Sequence, residues 1–502
     1  MNKNKFLLFG FYVIPQLTFS VQKRPNILFV ISDDQSYPYA SKYGSEFIDT
    51  PAFDFVANNG CLFNNAFVTS PGSSPSRASI LTGLYPWQIE EAGTHASSFP
   101  IKYTCFPDKL ESIGYKVGFT GKGWGPGDWK ISGRKRNPAG EEYNKIKVRP
   151  LFSGISNIDY SENFRLFIST RKDNQPFYFW VGLNEPHRPY EKDVWKKTNK
   201  SLKDVTVPSF LPNNDIIKGD ILDYCTEIEY FDSHLSKIIN ILKENNELEN
   251  TIIIVLADNG MPFPMAKATC YEFGIHVPLA ICWGTNIKKG LVCDDVVSSI
   301  DLAPTILDAV GVYKKDMVGH SMLPYLTGKR KTVEGSKAFS GRERHSSARK
   351  DNKGYPIRSL RTDKYLYIKN IRPERWPVGE PCCYDDKGYL KPLHSGYYDI
   401  DDGPSWKYIV DNRDVTSIFP YFLRIVSIRP YEELYDIIND PECSKNLISD
   451  NNHRKELDLM RKALREMQQK TKDTRIYDDD RSDIWETYPR LKGDIHRFPD
   501  IF

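Results

Sequence analysis

The sequence predicts an α/β fold in which a mostly parallel central sheet lies between helices. Uncharged runs of β-branched and aromatic residues, bounded by turn residues, are typical of strands covered on both faces. Two such runs end in acids, at residues 25–34 (PNILFVISDD) and 250–260 (NTIIIVLADNG), and two more lie at 116–123 and 175–187. Helical stretches lie between them, and strands that alternate with helices favour a parallel sheet. The ligand crevice of such a sheet is at the carboxyl ends of its strands, which is where the acids lie.

The helices are predicted from apolar residues at spacings of three and four. The clearest lies at 224–246, and a second lies at 299–312. The pattern changes after about residue 335, where residues 355–370 alternate as antiparallel strands around a turn and 453–473 form an amphipathic helix. These elements predict a smaller C-terminal α+β domain with an antiparallel sheet, over residues 336–502.

The first residues are expected to be an export signal. A basic stretch, MNKNK, precedes an apolar run of about a dozen residues, and the chain turns polar near Ser20. Pro15 interrupts this run, which is also short for a membrane span; the alternative is a buried first strand. We therefore expect a signal peptide at 1–20, a catalytic domain at 24–335, a bacterial periplasmic location and no membrane span in the mature protein.

The composition is typical of a soluble globular protein large enough for two domains. The chain has 502 residues, of which 40% are hydrophobic and 26% are charged. A formal net charge of +3 gives no support for a nucleic-acid partner and leaves open a polyanion held in one local pocket. The nine cysteines include no C-x-x-C pair, which argues against zinc ribbons. One or two disulfides are possible on the sequence alone, and most of the cysteines are expected to be core residues.

Four oxygen-bearing side chains follow the two strands that end in acids. Asp33 and Asp34 follow the first strand, and Asp258 and Asn259 follow the second. If these groups converge at the edge of one sheet, their burial requires a cation. An oxygen-only ligand set favours Ca²⁺ or Mg²⁺ over zinc, and calcium is preferred where carboxylates are bidentate. The sequence therefore predicts a calcium site, with magnesium as the alternative.

The stretch TSPGSSPSRASILTGLYP, residues 69–86, reads as a turn before a helix, with serines around one arginine. SSPSR at 73–77 and LTG at 81–83 fill every fixed position of the type I sulfatase signature: Cys or Ser, any residue, Pro-Ser-Arg, three more residues, then Leu-Thr-Gly. The chain resembles this family, and the family's landmarks recur in order over nearly its whole length. The resemblance implies an alkaline-phosphatase-like large domain and a smaller C-terminal domain that closes the substrate pocket.

The resemblance also implies that Ser73 is oxidised after translation to formylglycine and contributes to the metal site. Serine at this position implies an anaerobic-type formylglycine-generating maturation enzyme as a partner. In the hydrated aldehyde one hydroxyl attacks sulfur, and deprotonation of the second expels sulfate and restores the aldehyde. The divalent cation would hold the nucleophilic oxygen. Arg77, one helical turn past Ser73, is expected to hold the formylglycine hydroxyl.

Three further residues match catalytic positions of the family. Lys122 in GFTGKG matches a lysine near the nucleophile, and Lys267 matches the second sulfate-binding lysine. His187 in NEPHRP matches the histidine that contacts sulfate or protonates the leaving oxygen. Two positions depart from the family pattern: Trp124 stands where a histidine that assists turnover is expected, and His276 replaces the arginine of the usual GIRVP segment. Neither change affects the nucleophile or the metal ligands, so we still expect an enzyme, with a site altered at these two positions.

Several segments resemble heparan N-sulfatases (N-sulfoglucosamine sulfohydrolases) more than arylsulfatases. These are DNGMPFP at 258–264, PHR at 186–188 and ELYDIINDPECSKNL at 433–447. They imply a sulfated carbohydrate substrate, namely a glycosaminoglycan-type amino sugar with N- or O-linked sulfate. The candidates for sugar contacts are Glu185, Arg188 and His345.

Three alternatives stay open on the sequence alone. The first is an O-sulfatase for another host or algal glycan, which would share the fold and the core site. The second is a metal-dependent phosphodiesterase with an unmodified Ser or Thr nucleophile, against which the complete Ser-x-Pro-Ser-Arg context argues. The third is a glycan-binding relative with impaired turnover, for which Trp124 is the best support.

Overall fold

The computed structural model describes residues 24–312, 316–477, 483–493 and 496–499. The predicted signal peptide lies outside these residues. An eight-stranded sheet, a two-stranded ladder and a four-stranded sheet organise the described chain. The strands, numbered in chain order, are β1 (Asn26–Ser32), β2 (Gly60–Phe63), β3 (Ala66–Phe67), β4 (Lys116–Gly121), β5 (Glu141–Glu142), β6 (Phe177–Gly182), β7 (Thr251–Ala257), β8 (Leu279–Cys282), β9 (Leu291–Cys293), β10 (Val297–Ser298), β11 (Ala338–Arg342), β12 (Ile357–Arg361), β13 (Tyr365–Asn370) and β14 (Glu432–Asp436).

The eight-stranded sheet has the order β5-β4-β6-β1-β7-β8-β2-β9 and is mostly parallel, as predicted. Strand β8 runs antiparallel to both of its neighbours, β7 and β2. The four strands that the sequence predicts are adjacent in this order, as β4, β6, β1 and β7. Ser32 at the end of β1 pairs with Ala257 at the end of β7. The acids that follow these two strands are therefore neighbours at one edge of the sheet.

Both faces of the central strands are buried, which explains their uncharged sequences. Strands β1, β6 and β7 are buried along their whole length. In β1, Ile27, Phe29 and Ile31 belong to the apolar cluster on one face of the sheet. Leu28 and Val30 belong to the cluster on the other face. Apolar burial on both faces makes these strands the rigid support from which the acids project.

Helices cover the sheet and continue into the C-terminal part. No helix in the described part of the chain is long and apolar enough to cross a membrane. The α-helices, numbered in chain order, are α1 (Pro51–Asn58), α2 (Ser73–Thr82), α3 (Phe106–Ser112), α4 (Tyr160–Ser169), α5 (Asp215–Glu244), α6 (Glu272–Ile275), α7 (Leu302–Ala309), α8 (Leu323–Leu326), α9 (Pro404–Asp411), α10 (Phe419–Val426), α11 (Arg454–Lys470) and α12 (Ile484–Thr487).

Two predicted helices differ at their boundaries from those observed. The helix predicted at 224–246 is α5, which starts earlier because the Asn214 side chain accepts hydrogen bonds from backbone N–H groups in its first turn. The helix predicted at 299–312 begins as a 3-10 turn at Ser299–Asp301 and continues as α7. The first residues of these helices are therefore determined by local capping contacts and not by the spacing of apolar residues.

The four-stranded sheet is antiparallel, with the order β11-β12-β13-β14. Its central hairpin, β12 and β13, is the one predicted at 355–370, and α11 is the amphipathic helix predicted at 453–473. Ile357 and Ile368 of this hairpin belong to the same apolar cluster as Ile221 of α5. The C-terminal sheet therefore packs against the larger part of the chain through a shared core.

A buried ion-pair network crosses the junction between the two parts. Arg361 in β12 donates to both carboxylate oxygens of Glu272, each at 3.0 Å, and His276 Nδ1 lies 3.2 Å from the same group. Burial raises the pKa of Glu272, but Arg361 and His276 bring it down to about 2. His276 also stacks on Tyr37, with 4.0 Å between ring centroids. His276, where the family usually has arginine, thus contacts Glu272 and Tyr37 at this junction.

All nine cysteines are buried and unpaired. The disulfides that the sequence left open are therefore not formed in this structure. The cysteines serve as small apolar core residues.

A buried acid on α5 makes a prediction about stability. Glu227 has no exposed surface, and neither of its carboxylate oxygens has a hydrogen-bond partner among the described residues. Burial and the neighbouring Glu185 raise the pKa of Glu227 to about 9. The folded protein then holds one more proton than the unfolded chain between pH 4.5 and about 9, so this group's contribution to stability falls as pH rises through that window.

Glu227→Gln cannot ionise, so we expect the variant to gain stability over the wild type as pH rises from 5 to 8. Each pH unit within the window corresponds to about 1.4 kcal/mol at most. Urea denaturation at both pH values measures the difference, with Glu244→Gln at the exposed end of α5 as the matched control. A difference that is the same at pH 5 and pH 8 would show that Glu227 is already ionised in the folded protein.

Candidate active site

The site is built at the start of helix α2. Ser73 is its first residue, after Gly72 in an extended conformation, and all ten residues of the helix are buried. The helix ends at Gly83, whose φ of 68° lies in the left-handed region that favours glycine. This requirement explains the glycine that closes the LTG segment. Ser73 thus lies at a buried helix N-terminus, where N–H groups and the helix dipole favour an anion.

The acids from the two strands meet at Ser73. The Ser73 hydroxyl donates to Asp33 Oδ1 at 2.9 Å and lies 3.4 Å from Asn259 Oδ1. Asn259 Nδ2 donates to Asp34 Oδ1 at 2.7 Å, and the Asp34 backbone N–H donates to Asp258 Oδ1 at 3.1 Å. One carboxylate oxygen from each aspartate lies within 4.8 Å of the others. The structure therefore brings together all five side chains that the sequence predicts around the metal.

These five side chains fit a divalent cation. They offer oxygen atoms, the donors that Ca²⁺ and Mg²⁺ prefer. The three aspartates are buried, and Asp34 has a φ of 74°, a strained conformation for a residue other than glycine. Burial and the nearby charge of Asp33 raise the pKa of Asp258 above its usual value. This crowding of like charges is the electrostatic condition that a bound cation relieves.

Arg77 holds the acid cluster from inside helix α2. Its Nε donates to Asp258 Oδ2 at 2.7 Å, and its Nη1 donates to the carbonyl oxygen of Lys122 at 2.7 Å. Its Nη2 lies 3.5 Å from Asp33 Oδ1. Burial lowers the pKa of Arg77, but Asp258 and Asp33 raise it above its usual value. With serine at position 73, no described hydrogen bond joins Arg77 to the Ser73 hydroxyl; the expectation that it holds the formylglycine hydroxyl stays a prediction.

Two lysines contact the acid cluster, each through a different aspartate. Lys122, just after β4, donates to Asp33 Oδ2 at 2.6 Å. Lys267 donates to Asp34 Oδ2 at 2.7 Å and to Asp401 Oδ2 at 2.8 Å. Burial lowers the pKa of Lys267, but Asp34 and Asp401 raise it well above its usual value. Lys267 is therefore held as a cation, and both lysines line the cavity beside Ser73.

His187 faces the cluster from the loop after β6. Its Nδ1 lies 2.6 Å from the carbonyl oxygen of Arg188, and because a carbonyl only accepts, Nδ1 carries a hydrogen. Its Nε2 lies 3.8 Å from Asp34 Oδ2. The side chain is 40% exposed. His187 can therefore present Nε2 to a group bound in the pocket, either as an acceptor or, once protonated, as a donor.

Ser73, Asp33, His187 and the two lysines line a cavity of about 800 Å³, a size typical of ligand pockets. A cavity of similar size, about 820 Å³, lies between the start of α5 and α9, and none of the predicted site residues lines it. The first cavity is lined by Asp33, Ser73, His95, Ala96, Lys122, Asn184, His187, Arg188, Lys267, His345, Tyr398, Asp401, Arg490 and Lys492, among others.

The three predicted sugar contacts differ in their positions. His345 lines the cavity. Arg188 also lines it, but its guanidinium donates to both oxygens of Asp220, at 2.8 and 2.7 Å, and to the carbonyl of Pro262 at 2.9 Å. Glu185 does not line it: its oxygens accept hydrogen bonds from the Ser156 backbone at 2.7 Å and the Tyr160 hydroxyl at 3.0 Å. The polar groups of Glu185 and Arg188 are therefore occupied by contacts within the protein.

Trp124 does not point into the cavity. Its indole N–H donates to the Ser74 carbonyl at 3.0 Å, and its ring packs edge-on against Phe99. Where the family has a histidine, this chain thus has a buried support for the first turn of α2. Among the cavity-lining residues that the sequence motifs missed are two histidine- or acid-bearing positions and two basic ones, each from a segment without a local signal. They are His95, Asp401, Arg490 and Lys492.

A model of the sulfatase family matches residues 25–312, which is more than half of the chain. The chain belongs to the sulfatase family. A second model, described as N-sulphoglucosamine sulphohydrolase, C-terminal, matches residues 265–377. The enzyme is therefore a sulfuric ester hydrolase, as the signature around Ser73 predicts.

Individual relatives agree with this assignment. N-sulphoglucosamine sulphohydrolase of Homo sapiens is 26% identical over 479 residues, covering 89% of this sulfatase and 90% of that protein. An ulvan-active sulfatase of Formosa agariphila is 25% identical over 486 residues, covering 88% and 74%. A structure solved in complex with its substrate D-glucosamine-2-N,6-O-disulfate matches with a TM-score of 0.64 at 21% identity, covering 90% of this chain and 99% of that one. The fold is alkaline-phosphatase-like, as predicted, and the relatives are carbohydrate sulfatases.

The acid cluster predicts calcium-dependent stability. If calcium binds the folded cluster, it should stabilise the wild type by about 2.7 kcal/mol when its concentration is a hundred times its Kd. Thermal unfolding after chelation and after calcium addition measures this as a rise in Tm. Asp258→Ala should lose most of that rise, whereas Asp458→Ala on the exposed face of α11 should keep it. A wild-type Tm that is the same with chelator and with calcium would contradict a cation site here.

Proposed function

We propose that this sulfatase is an exported enzyme that releases N- or O-linked sulfate from a glycosaminoglycan-type amino sugar, with formylglycine formed from Ser73 as nucleophile and Ca²⁺ as cofactor. The substrate class is supported by the match of the C-terminal region to N-sulphoglucosamine sulphohydrolases and by the human relative. Export to the periplasm is supported by the basic and apolar residues at the start of the sequence. Serine at position 73 favours an anaerobic-type maturation enzyme as partner.

The observation that carries the proposal is the charge balance around the Ser73 hydroxyl. Four carboxylates and three cations form one connected network of contacts that includes this hydroxyl, which leaves one net negative charge. A divalent cation would change this to one net positive charge, matching the single negative charge of a sulfate ester. The carboxylates are Asp33, Asp34, Asp258 and Asp401, and the cations are Arg77, Lys122 and Lys267.

Each residue has a distinct task in the proposed reaction. A hydrated formylglycine at position 73 would supply one hydroxyl to attack sulfur and a second whose deprotonation expels sulfate and restores the aldehyde. A calcium ion on the acid cluster would supply a positive charge that polarises the reacting oxygens. Lys122 and Lys267 bind the non-bridging sulfate oxygens and stabilise their charge in the transition state. His187, with Nε2 directed at the site, donates a proton to the leaving oxygen or nitrogen.

One of the alternatives has an observation in its favour. The ulvan-active sulfatase of Formosa agariphila covers nearly as much of this chain as the human relative does. An O-sulfatase for an algal glycan would use the same Ser73, lysines and acids. Release of sulfate from ulvan oligosaccharides, compared with D-glucosamine N-sulfate and D-glucosamine 6-O-sulfate, separates the two substrates.

A serine variant tests the nucleophile. Ser73→Ala should lower sulfate release at least a thousandfold, because it removes the only atom that can become the aldehyde oxygen, while leaving the thermal unfolding curve close to that of the wild type. Ser79→Ala, in the same helix, is the matched control and should retain most of the activity. The assay is sulfate release from D-glucosamine N-sulfate by protein matured in its native host and supplied with calcium.

Mass spectrometry of the peptide around Ser73 tests the maturation. Conversion of serine to formylglycine removes two hydrogens, so the peptide should be lighter by about two mass units. An unmodified serine in fully active protein would contradict the proposed nucleophile and favour a phosphodiesterase-like mechanism. A modified residue without turnover on any sulfated sugar would favour the glycan-binding alternative.

A further inference from the structure

We propose that Arg490, together with Lys492, forms a second anion subsite in the active-site pocket that binds an anionic group of the substrate other than the sulfate being released. This inference rests on the proposed function, since it takes the occupant of the pocket to be a sulfated glycan. Both residues line the same cavity as Ser73 and the two lysines of the site. Nothing in the reaction at sulfur requires them.

Among the residues that the structure describes, no carboxylate pairs with Arg490. Its Nη1 donates to the carbonyl oxygen of His345 at 2.6 Å and lies 3.3 Å from His95 Nδ1. Its Nε is buried and has no hydrogen-bond partner, and no ion pair joins the guanidinium to a carboxylate among the residues that the structure describes. A half-buried, unpaired guanidinium is unfavourable unless an anion from solution completes it.

The surroundings of Arg490 are short of negative charge. Burial lowers the pKa of Arg490 overall, although the negative charge of Asp399 acts on Arg490 and raises its pKa. Asp399, however, already forms ion pairs with Arg342 and with Arg349, the latter at 2.8 Å. Burial and the nearby charge of Arg490 lower the pKa of Arg344 to about 10. Two guanidinium groups therefore lie close together, and neither forms an ion pair with a carboxylate in the described part of the chain. Of the two, Arg490 lines the cavity and can meet an anion there.

Two neutral imidazoles complete the wall beside Arg490. Burial and the nearby cations lower the pKa of His95 well below its usual value, and burial lowers the pKa of His345 to about 3. The two rings stack with 4.6 Å between centroids. A Cβ added to Gly72 would come within 3.1 Å of His345 Nδ1, so the pair lies directly against the residue before Ser73. The imidazoles thus connect the reaction centre with Arg490.

The segment that carries Arg490 and Lys492 is fixed to the wall of the pocket. The Leu491 backbone N–H donates to the Ala96 carbonyl at 2.7 Å, and the Ala96 N–H donates to the Ser74 hydroxyl oxygen at 3.0 Å. On its other side, Arg344 donates to the carbonyl oxygens of Tyr488 and Pro489. A short chain of hydrogen bonds therefore ties the segment to the first turn of α2. The position of the subsite relative to Ser73 is set by these contacts and not by a free tail.

The chemistry of the occupant follows from the guanidinium. A guanidinium binds carboxylate or sulfate oxygens through its N–H groups, and because Nη1 of Arg490 already donates to His345, Nη2 is the group left for the occupant. Lys492 is exposed and adds a second positive charge at the rim. The subsite therefore selects a sugar with a second oxyanion, which in this substrate class is either another sulfate or the carboxylate of a neighbouring uronic acid.

Matched ligands test the subsite by calorimetry on Ser73→Ala, which binds without turnover. One pair is D-glucosamine N-sulfate and D-glucosamine-2-N,6-O-disulfate; the other is an N-sulfated glucosamine–uronic acid disaccharide and the same disaccharide with its carboxylate reduced to an alcohol. We expect the dianionic member of at least one pair to bind about tenfold or more tightly. Adding Arg490→Gln should remove that advantage and leave the affinity for the monoanionic member almost unchanged. The pair that shows the effect identifies sulfate or carboxylate as the group bound.

Three further variants keep the test decisive. Lys492→Gln at an exposed position should reduce the same advantage without affecting folding, and Arg490→Lys should retain part of it. Arg465→Gln on the exposed face of α11 is the control and should retain all of it. Equal affinity for both members of both pairs, or an equal loss for both members in Arg490→Gln, would overturn the subsite. Sulfate release is measured separately, on the enzyme with Ser73 intact. If Arg490→Gln selectively weakens binding of the dianionic ligand but the enzyme with Ser73 intact releases no sulfate, the subsite is supported and the proposed function is refuted.

Discussion

The fold of this sulfatase depends at its centre on keeping three buried carboxylates next to one another. Asp33, Asp34 and Asp258 follow two adjacent parallel strands whose ends are in register, so the sheet itself forces them together. Buried like charges are unfavourable unless opposite charges compensate them. The compensating cations come from three different elements: Arg77 from helix α2, Lys122 from the end of β4, and Lys267 from the loop after β7. Packing these elements in place is also what builds the pocket.

The same arrangement explains why a serine at a helix start can be a reactive position. Ser73 has little exposed surface, and its hydroxyl already contacts a carboxylate and an amide oxygen. The helix N-terminus and the lysines favour an anion, whereas the acids favour a cation. A sulfate group and a divalent cation can therefore be held on opposite sides of one residue. Trp124 contributes indirectly, because its indole N–H holds the first turn of this helix through Ser74.

The sequence could predict the parts of the site that have a local signature. The uncharged strands ending in Asp33 and Asp258 indicate both the sheet and the acids, because parallel strands share one carboxyl edge. The spacing from Ser73 to Gly83 indicates the helix, because its start and its left-handed end have specific residue requirements. The contacts of Arg77 could not be predicted in this way. Its contact with Asp258, which is distant in sequence, depends on tertiary packing, and its expected contact with a formylglycine hydroxyl stays a prediction.

The opposite wall of the pocket has no such local pattern. Asp401 reaches Lys267 from a loop, and Arg490 reaches His345 from the end of the chain, so only tertiary packing places them. Glu185 shows the converse: its position beside His187 suggests a sugar contact, but its burial directs it to Tyr160. Whether a polar loop residue reaches the pocket therefore depends on how its loop packs against the core. The local sequence does not contain this information.

The central claim is that the buried acids, Ser73 and the lysines form one site for a cation and a sulfate group. A crystal structure of the Ser73→Ala protein, grown with calcium and D-glucosamine N-sulfate, tests it most directly. The account predicts a cation bound by oxygens of Asp33, Asp34, Asp258 and Asn259, with the sulfate group between that cation and Lys122 and Lys267. An empty acid cluster whose carboxylates stay paired with the lysines, or a sulfated sugar bound outside this cavity, would contradict it.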